Sequence, residues 1–117
     1  MGSITSDDLS ERTAKFGENI IDLCNNLPKT IITTPIVNQL LRSGTSIGAN
    51  YAEANGASSK KDFRNRLHIC KKESMETKFW LRMLARAQID KKITCQKLWK
   101  EAHEFTLIFS AAAKNST

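Results

Sequence analysis

The stretch from Leu40 to Leu84, LLRSGTSIGANYAEANGASSKKDFRNRLHICKKESMETKFWLRML, decides the fold. It reads as two long helices joined by one short turn. Asn55-Gly56 marks the end of the first, because glycine takes at low cost the left-handed conformation that closes many helices. Ser59 then supplies an N-cap for the second, with Asp62 in the capping-box position three residues on. These signals bound one helix from Pro35 to about Asn55 and another from about Lys60 to Gln88.

On the first of these helices Val37, Leu40, Leu41, Gly44, Ile47, Gly48, Tyr51 and Ala54 share the inner side. Gly44 and Gly48 sit mid-helix, where each costs about 1 kcal/mol relative to alanine, so a neighbouring backbone is expected to approach closely there. Arg42, Ser46, Asn50 and Glu53 form a polar stripe at steps of three or four. It reads as a hydrogen-bonded network between helices or as a solvated face, and the spacing leaves both open.

The second helix divides into distinct sides at the 3.6-residue period. Phe63, Leu67, Cys70, Ser74, Thr77, Leu81 and Leu84 alternate three and four apart, as in a heptad seam, and form the core face. Lys60, Arg64, Lys71, Lys78, Arg82 and Arg86 fall within an arc of about 80°, so one face presents a stripe of positive charge. Ile69, Glu76, Trp80 and Met83 make a third side that is more apolar than a solvated face should be, which points to contact with another subunit. A helix buried on two sides implies a homo-oligomer.

Outward from this pair the periodicity stays helical. Ser6 with Asp7 and Asp8 resembles a helix start, the acids lying at the positive end of the dipole. Leu9, Phe16, Ile20, Leu23 and Leu27 then recur until Pro28, which gives a helix over about 7–26. Thr30 to Thr34 is a β-branched run without a partner run elsewhere, so it reads as a connector, and Thr34-Pro35 reads as an N-cap followed by proline at the first helical position. Beyond a polar turn around Asp90, Thr94 can cap a last helix, about 95–113, built on Leu98, Trp99, Ala102, Phe105, Ile108, Phe109 and Ala112. Helices with short links and no strands predict an all-α, up-down-up-down antiparallel four-helix bundle, a single domain over 1–117. Met1-Gly2-Ser3 through Ser6 formally fits a myristoylation pattern and reads more simply as a short frayed start; the tail from Lys114 to Thr117 is expected to fray as well.

The net charge of +6 is unevenly placed. Lys60 to Lys92 holds eleven basic side chains against four acids, a net of +7, whereas the rest of the chain has seven against eight. Charge concentrated in this way suits an anionic partner such as nucleic acid, and it also keeps proteins soluble. The three cysteines, Cys24, Cys70 and Cys95, are widely spaced and odd in number, without a CxxC or a histidine at zinc-finger spacing, so reduced, mostly buried thiols are expected. No apolar run approaches the ~20 residues of a membrane span, and acids occupy the place of a signal-peptide core; a cytoplasmic protein with no membrane association is expected.

The residues Leu41-Arg42-Ser43, Ser46-Ile47, Ala49-Asn50 and Ala52-Glu53-Ala54, followed by Ser59-Lys60-Lys61-Asp62-Phe63 and by Glu76-Thr77 with Trp80-Leu81, resemble the signature of the 23S ribosomal RNA intervening-sequence proteins. The resemblance covers nearly the whole chain. It implies a small bacterial four-helix bundle that assembles into a pentameric ring or barrel with a positively charged surface. That family is in turn similar to the accessory variability protein of diversity-generating retroelements, which would imply nucleic acid and a reverse transcriptase as partners. It implies no catalytic residues.

The residues themselves give an enzyme reading little support, and no cofactor is expected. Glu73 and Glu76 are three apart, but a bundle di-metal site takes a Glu-x-x-His pair from each of two helices, and neither His68 nor His103 lies three after a glutamate. A lone helical histidine is more often packed or solvated than catalytic. Two readings remain. In one, the stripe from Lys60 to Arg86 contacts phosphates, with binding that is largely independent of sequence and steeply dependent on salt. In the other, the apolar side of the same helix docks a protein and the charge is incidental. Trp80 and Trp99 could stack on bases, although packing is the commoner use of tryptophan.

Overall fold

The computed structural model describes residues 5–116, and these form four α-helices: α1 (Ser6–Asn25), α2 (Thr33–Asn55), α3 (Lys60–Ala87) and α4 (Lys92–Lys114). A single 3₁₀ turn over Ile89–Lys91 joins α3 to α4, and no strand occurs among the described residues. The formal myristoylation pattern and the frayed start lie largely outside the described residues. At the other end α4 runs to Lys114, and the Asn115 N–H donates to Ala111 O at 3.0 Å.

The helix ends follow local hydrogen bonding, which in several places differs from the expected caps. Thr5, rather than Ser6, caps α1: its hydroxyl accepts from the Asp8 N–H at 3.1 Å and the Asp8 carboxylate accepts from the Thr5 N–H, a complete capping box. The expected N-cap at Thr34 is displaced because Thr30 accepts instead, its Oγ1 taking the N–H groups of Ile32 and Thr33 at 3.2 and 3.0 Å, so that α2 opens at Thr33 with Pro35 already inside its first turn. Proline is tolerated there because first-turn N–H groups have no intrahelical partner. Gly56 closes α2 at φ −97°, with its N–H on Glu53 O at 3.1 Å, so the left-handed conformation is not used. Ser59 caps α3 as expected, accepting from Asp62 N–H at 3.0 Å. Thr94 caps nothing, because the 3₁₀ turn runs directly into α4 at Lys92.

Antiparallel packing is visible in which residues meet. Ser6 and Asn55 bond at one end of α1 and α2 (3.0 Å), while Gly17 and Thr45 meet further along. Arg42 reaches Glu73 and Glu53 reaches Arg66 between α2 and α3, and Lys78 reaches His103 between α3 and α4. α1 meets α4 mainly through side chains: Arg12 bonds Glu101 and Glu104 and lies over the Phe105 ring, and Phe16 meets that ring edge-on at 5.3 Å between centroids. The core these helices share is fully buried at Phe16, Ile20, Leu40, Ile47, Leu67, Leu81, Leu84, Phe105 and Phe109. Ser74 and Thr77, the polar members of the α3 seam, are buried too. Each donates its hydroxyl to a carbonyl one turn back, Cys70 O at 2.8 Å and Glu73 O at 2.7 Å, which removes the cost of burying it.

The mid-helix glycines have the close neighbours their cost calls for. A Cβ at Gly44 would lie 2.9 Å from Ile20 Cγ1, and one at Gly48 would lie 3.3 Å from the backbone carbonyl of Thr13. The seam between α1 and α2 is therefore closed down to a distance only glycine permits. Gly44→Ala gains about 1 kcal/mol of helix propensity but must displace a stiff, fully buried β-branched side chain, so it is expected to be net destabilising by about 1–3 kcal/mol. A denaturant titration that finds the variant as stable as the parent would contradict this packing.

Candidate nucleic-acid interface

α3 is covered by α2 on one side and by α4 on the other, and two of its three acids, Glu73 and Glu76, bond α2. Glu73 is 6% exposed, and its carboxylate accepts from Arg42 Nη1 at 2.9 Å. The other guanidinium nitrogen, Nη2, bonds Glu76, whose Oε2 also accepts from Trp80 Nε1 at 3.1 Å. Burial pushes the Glu76 carboxyl up, but the Trp80 N–H and the Arg42 guanidinium together outweigh it, so its pKa lies below the ordinary carboxylate value. Towards the other end of the pair Glu53 meets Arg66 at 2.5 Å. Within the polar stripe of α2, Arg42 and Glu53 thus bond across to α3. Ser46 and Asn50 instead bond carbonyls of their own helix, Arg42 O at 2.5 Å and Ser46 O at 2.9 Å.

With the acids drawn to one side, the uncovered face of α3 is left cationic. Lys60, Arg82 and Arg86 are exposed, and Arg64, Lys71 and Lys78 are half-buried along the same stripe. Lys61 and Lys72, both exposed, widen it to an arc of about 120° at 3.6 residues per turn, with no acid inside. Among the described residues none of these eight cations pairs with a carboxylate, whereas Arg12, Lys15, Arg42 and Arg66 all do. Met75 and Phe79 sit within the arc, each 50% exposed. Towards α2, Ile69 is 36% exposed, Trp80 and Met83 are half-buried, and Glu76 is engaged within its own chain.

Towards α4 the stripe borders a groove of about 380 Å³ lined by Leu81, Arg82, Ala85, Arg86, Lys92 and Trp99, among others. Lys78 stands beside it, donating from Nζ to His103 Nδ1 at 3.1 Å and lying 5.2 Å from the centre of the Trp99 ring. His103 stacks on Trp99 at 5.3 Å and 15°. His68 is exposed at the margin of the stripe. All thiols are free, and burial pushes Cys24 and Cys95 up to about 11 and Cys70 to about 12, which leaves them protonated and weakly nucleophilic. Among the described residues no three or more His, Cys, Asp or Glu side chains come together as a metal site, and no helix is long and apolar enough to cross a membrane.

A family model described as the 23S rRNA-intervening sequence protein matches residues 7–111. The chain belongs to that family. A protein of unknown function from the S23 ribosomal protein family of Bacteroides thetaiotaomicron VPI-5482, known from its crystal structure, has the same fold with a TM-score of 0.80. It is 31% identical, and the alignment covers 92% of this chain and 99% of that one. No curated protein matches the chain. The resemblance read from the sequence is thereby established at the level of family and fold.

The sequence pattern reveals the stripe but not what surrounds it. Lys61 and Lys72 belong to the same arc once α2 and α4 are in place, and the helical period alone could have included them. The groove, with Lys92, Trp99 and His103 brought to Lys78 and Arg82, depends on how α4 registers against α3 and has no local signal. Arg42 is expected to matter for stability in a pH-dependent way. Glu76 has a folded pKa below its unfolded value, so its contribution is present above pH 4.5 and is lost as the pH falls through the lower folded value. Arg42→Met also leaves the buried Glu73 carboxylate without its partner, so at neutral pH it should cost about 1–3 kcal/mol, and the part of the cost that comes from Glu76 should shrink as the pH falls below 4.5. Thermal melts of parent and variant across pH measure this, and a difference that stays constant with pH would contradict it.

Proposed function

We propose that this chain is a non-enzymatic bacterial cytoplasmic protein that binds RNA or DNA through the basic face of α3, without a cofactor. Lys60, Arg64, Lys71, Lys78, Arg82 and Arg86 contact phosphates, and Lys61 and Lys72 extend the contact. The observation that carries this reading is the separation of charge on one helix. Glu73 and Glu76 bond Arg42 of α2 and no acid falls within the uncovered arc, so its cations form no ion pair among the described residues. Such a surface gains by releasing counterions when it meets a polyanion. The family name, which refers to an intervening sequence of 23S rRNA, supports a nucleic-acid context.

A second reading has an observation of its own. Met75 and Phe79 stand half exposed within the basic arc, and apolar surface of this kind suits a protein contact. In that reading the protein is a scaffold or an accessory subunit, for example to a reverse transcriptase, and salt has little effect on the contact. In either reading the chain is a homo-oligomer, a pentamer by family resemblance, with Ile69, Glu76, Trp80 and Met83 on the side that meets the next copy, Glu76 also being bonded by Arg42 and Trp80 of its own chain. Sedimentation velocity tests the assembly: the parent should run as an oligomer and Ile69→Asp as a folded monomer, and a monomeric parent at micromolar concentration would rule it out.

Fluorescence anisotropy with labelled single- and double-stranded RNA and DNA across a salt series tests the binding. Affinity should fall log-linearly with salt, and replacing Lys71, Lys78 and Arg82 by alanine should reduce the slope by roughly 2–3, close to one for each phosphate that is no longer neutralised. Absence of binding at low salt by an intact oligomer would transfer support to the protein-contact reading.

A further inference from the structure

The groove between α3 and α4 is built differently from the rest of the basic face. Its floor is apolar, with Leu81 and Cys95 buried and Ala85 half-buried. Burial holds the Cys95 thiol at about 11, so the floor carries no charge at neutral pH. Arg82, Arg86 and Lys92 stand around it, no acid lines it, and none of the three pairs with a carboxylate among the described residues. Gln96 adds an amide with both donor and acceptor atoms.

The wall of the groove is the indole of Trp99, which is 38% exposed. His103, one turn C-terminal, stacks against it, and Lys78 bridges His103 and the ring. The α4 residues that line the groove, Lys92, Cys95 and Gln96, lie N-terminal to Trp99. The groove thus borders Trp99 from its N-terminal side, whereas His103 lies one turn C-terminal to it. A partly exposed aromatic ring, stacked on His103, stands beside cations and an apolar floor.

We propose that this groove is a pocket for one unpaired nucleotide, the base lying against Trp99 and the phosphate held by Arg82, Arg86 and Lys92. This rests on the nucleic-acid reading above and deepens it by naming the substrate form the surface prefers. A bare inorganic anion would leave the indole and floor uncovered, and a neutral aromatic would leave the cations without counter-charge. A nucleotide satisfies both. Its volume suits a cavity at the small end of ligand pockets. A base already stacked within a duplex cannot reach the indole, so single strands, loops and bulges are favoured. Because His103 and Lys78 fix the ring in advance, little ordering is needed when a base arrives.

The test compares parent, Trp99→Leu and Trp99→Phe, all checked for an unchanged helical melt, and measures anisotropy of a labelled single-stranded RNA and of the matched duplex at one salt concentration. Trp99→Leu should weaken the single strand by about 5- to 150-fold, the range carried by one stacked base, and leave the duplex within about twofold, while Trp99→Phe keeps most of the affinity. Calorimetry with AMP, adenosine and inorganic phosphate forms the second arm, and AMP should bind at least about tenfold tighter than either fragment because it fills both halves of the groove. Equal weakening of single strand and duplex, a silent Trp99→Leu, or AMP no tighter than phosphate would each overturn the pocket while leaving the basic face standing. Failure of the parent to bind any of the nucleic acids would overturn both.

Discussion

The structure depends on how Arg42 holds two acids of α3. Its guanidinium reaches Glu73, which is buried, and Glu76, which is fixed a second time by the Trp80 N–H. A buried carboxylate is costly unless it is paired, so this contact sets the register of α2 against α3 as well as joining them. It also has an electrostatic consequence. Since Glu73 and Glu76 bond on the α2 side, none of the cations along the uncovered arc forms an ion pair among the described residues, although Glu76 still attracts Lys72 at the arc's edge. Packing and surface field are two results of one arrangement.

The other contacts serve to keep α3 in that position. Gly44 and Gly48 let α1 approach α2 until Ile20 and the Thr13 backbone touch it, so α2 is held from behind while Arg42 faces forward. On the opposite flank Phe105 and Phe109 of α4 fill the centre of the bundle against Phe16 and Tyr51. α4 is thereby registered so that Trp99 and His103 come to Lys78. The groove between α3 and α4 follows from that registration, with an aromatic wall beside cationic side chains. A surface of this kind has two components, a field that acts at a distance of about 8–10 Å in physiological salt and a contact that acts only on touching.

The fold was legible because its signals are local. Ser59 with Asp62, Pro28 and the 3.6-residue recurrence from Phe63 to Leu84 each operate within a few residues, and the glycines of α2 announced a close neighbour through their cost alone. Helix ends were less legible where several hydroxyls compete: Thr5, Ser6, Thr30 and Thr34 all resemble caps, and only the geometry chooses Thr5 and Thr30. Gly56 closes α2 without a positive φ because a tighter hydrogen bond to Glu53 O suffices. Within the candidate site, the stripe from Lys60 to Arg86 could be read from period, since it lies on one helix. The pairing of Arg42 with Glu73 joins residues 31 apart, and the Lys78–His103 contact joins residues 25 apart, so neither could be read from spacing.

The central claim is that the uncovered face of α3 is where a polyanion lies. Heteronuclear NMR of the uniformly labelled protein, titrated with a short single-stranded RNA, reads the position of contact directly. Shift changes and line broadening should concentrate on α3 from Lys60 to Arg86 and on the first two turns of α4, with α1 and the Thr30 turn unmoved. Perturbations centred on α1, on the Arg42 side of α2, or spread evenly over the molecule would contradict the account.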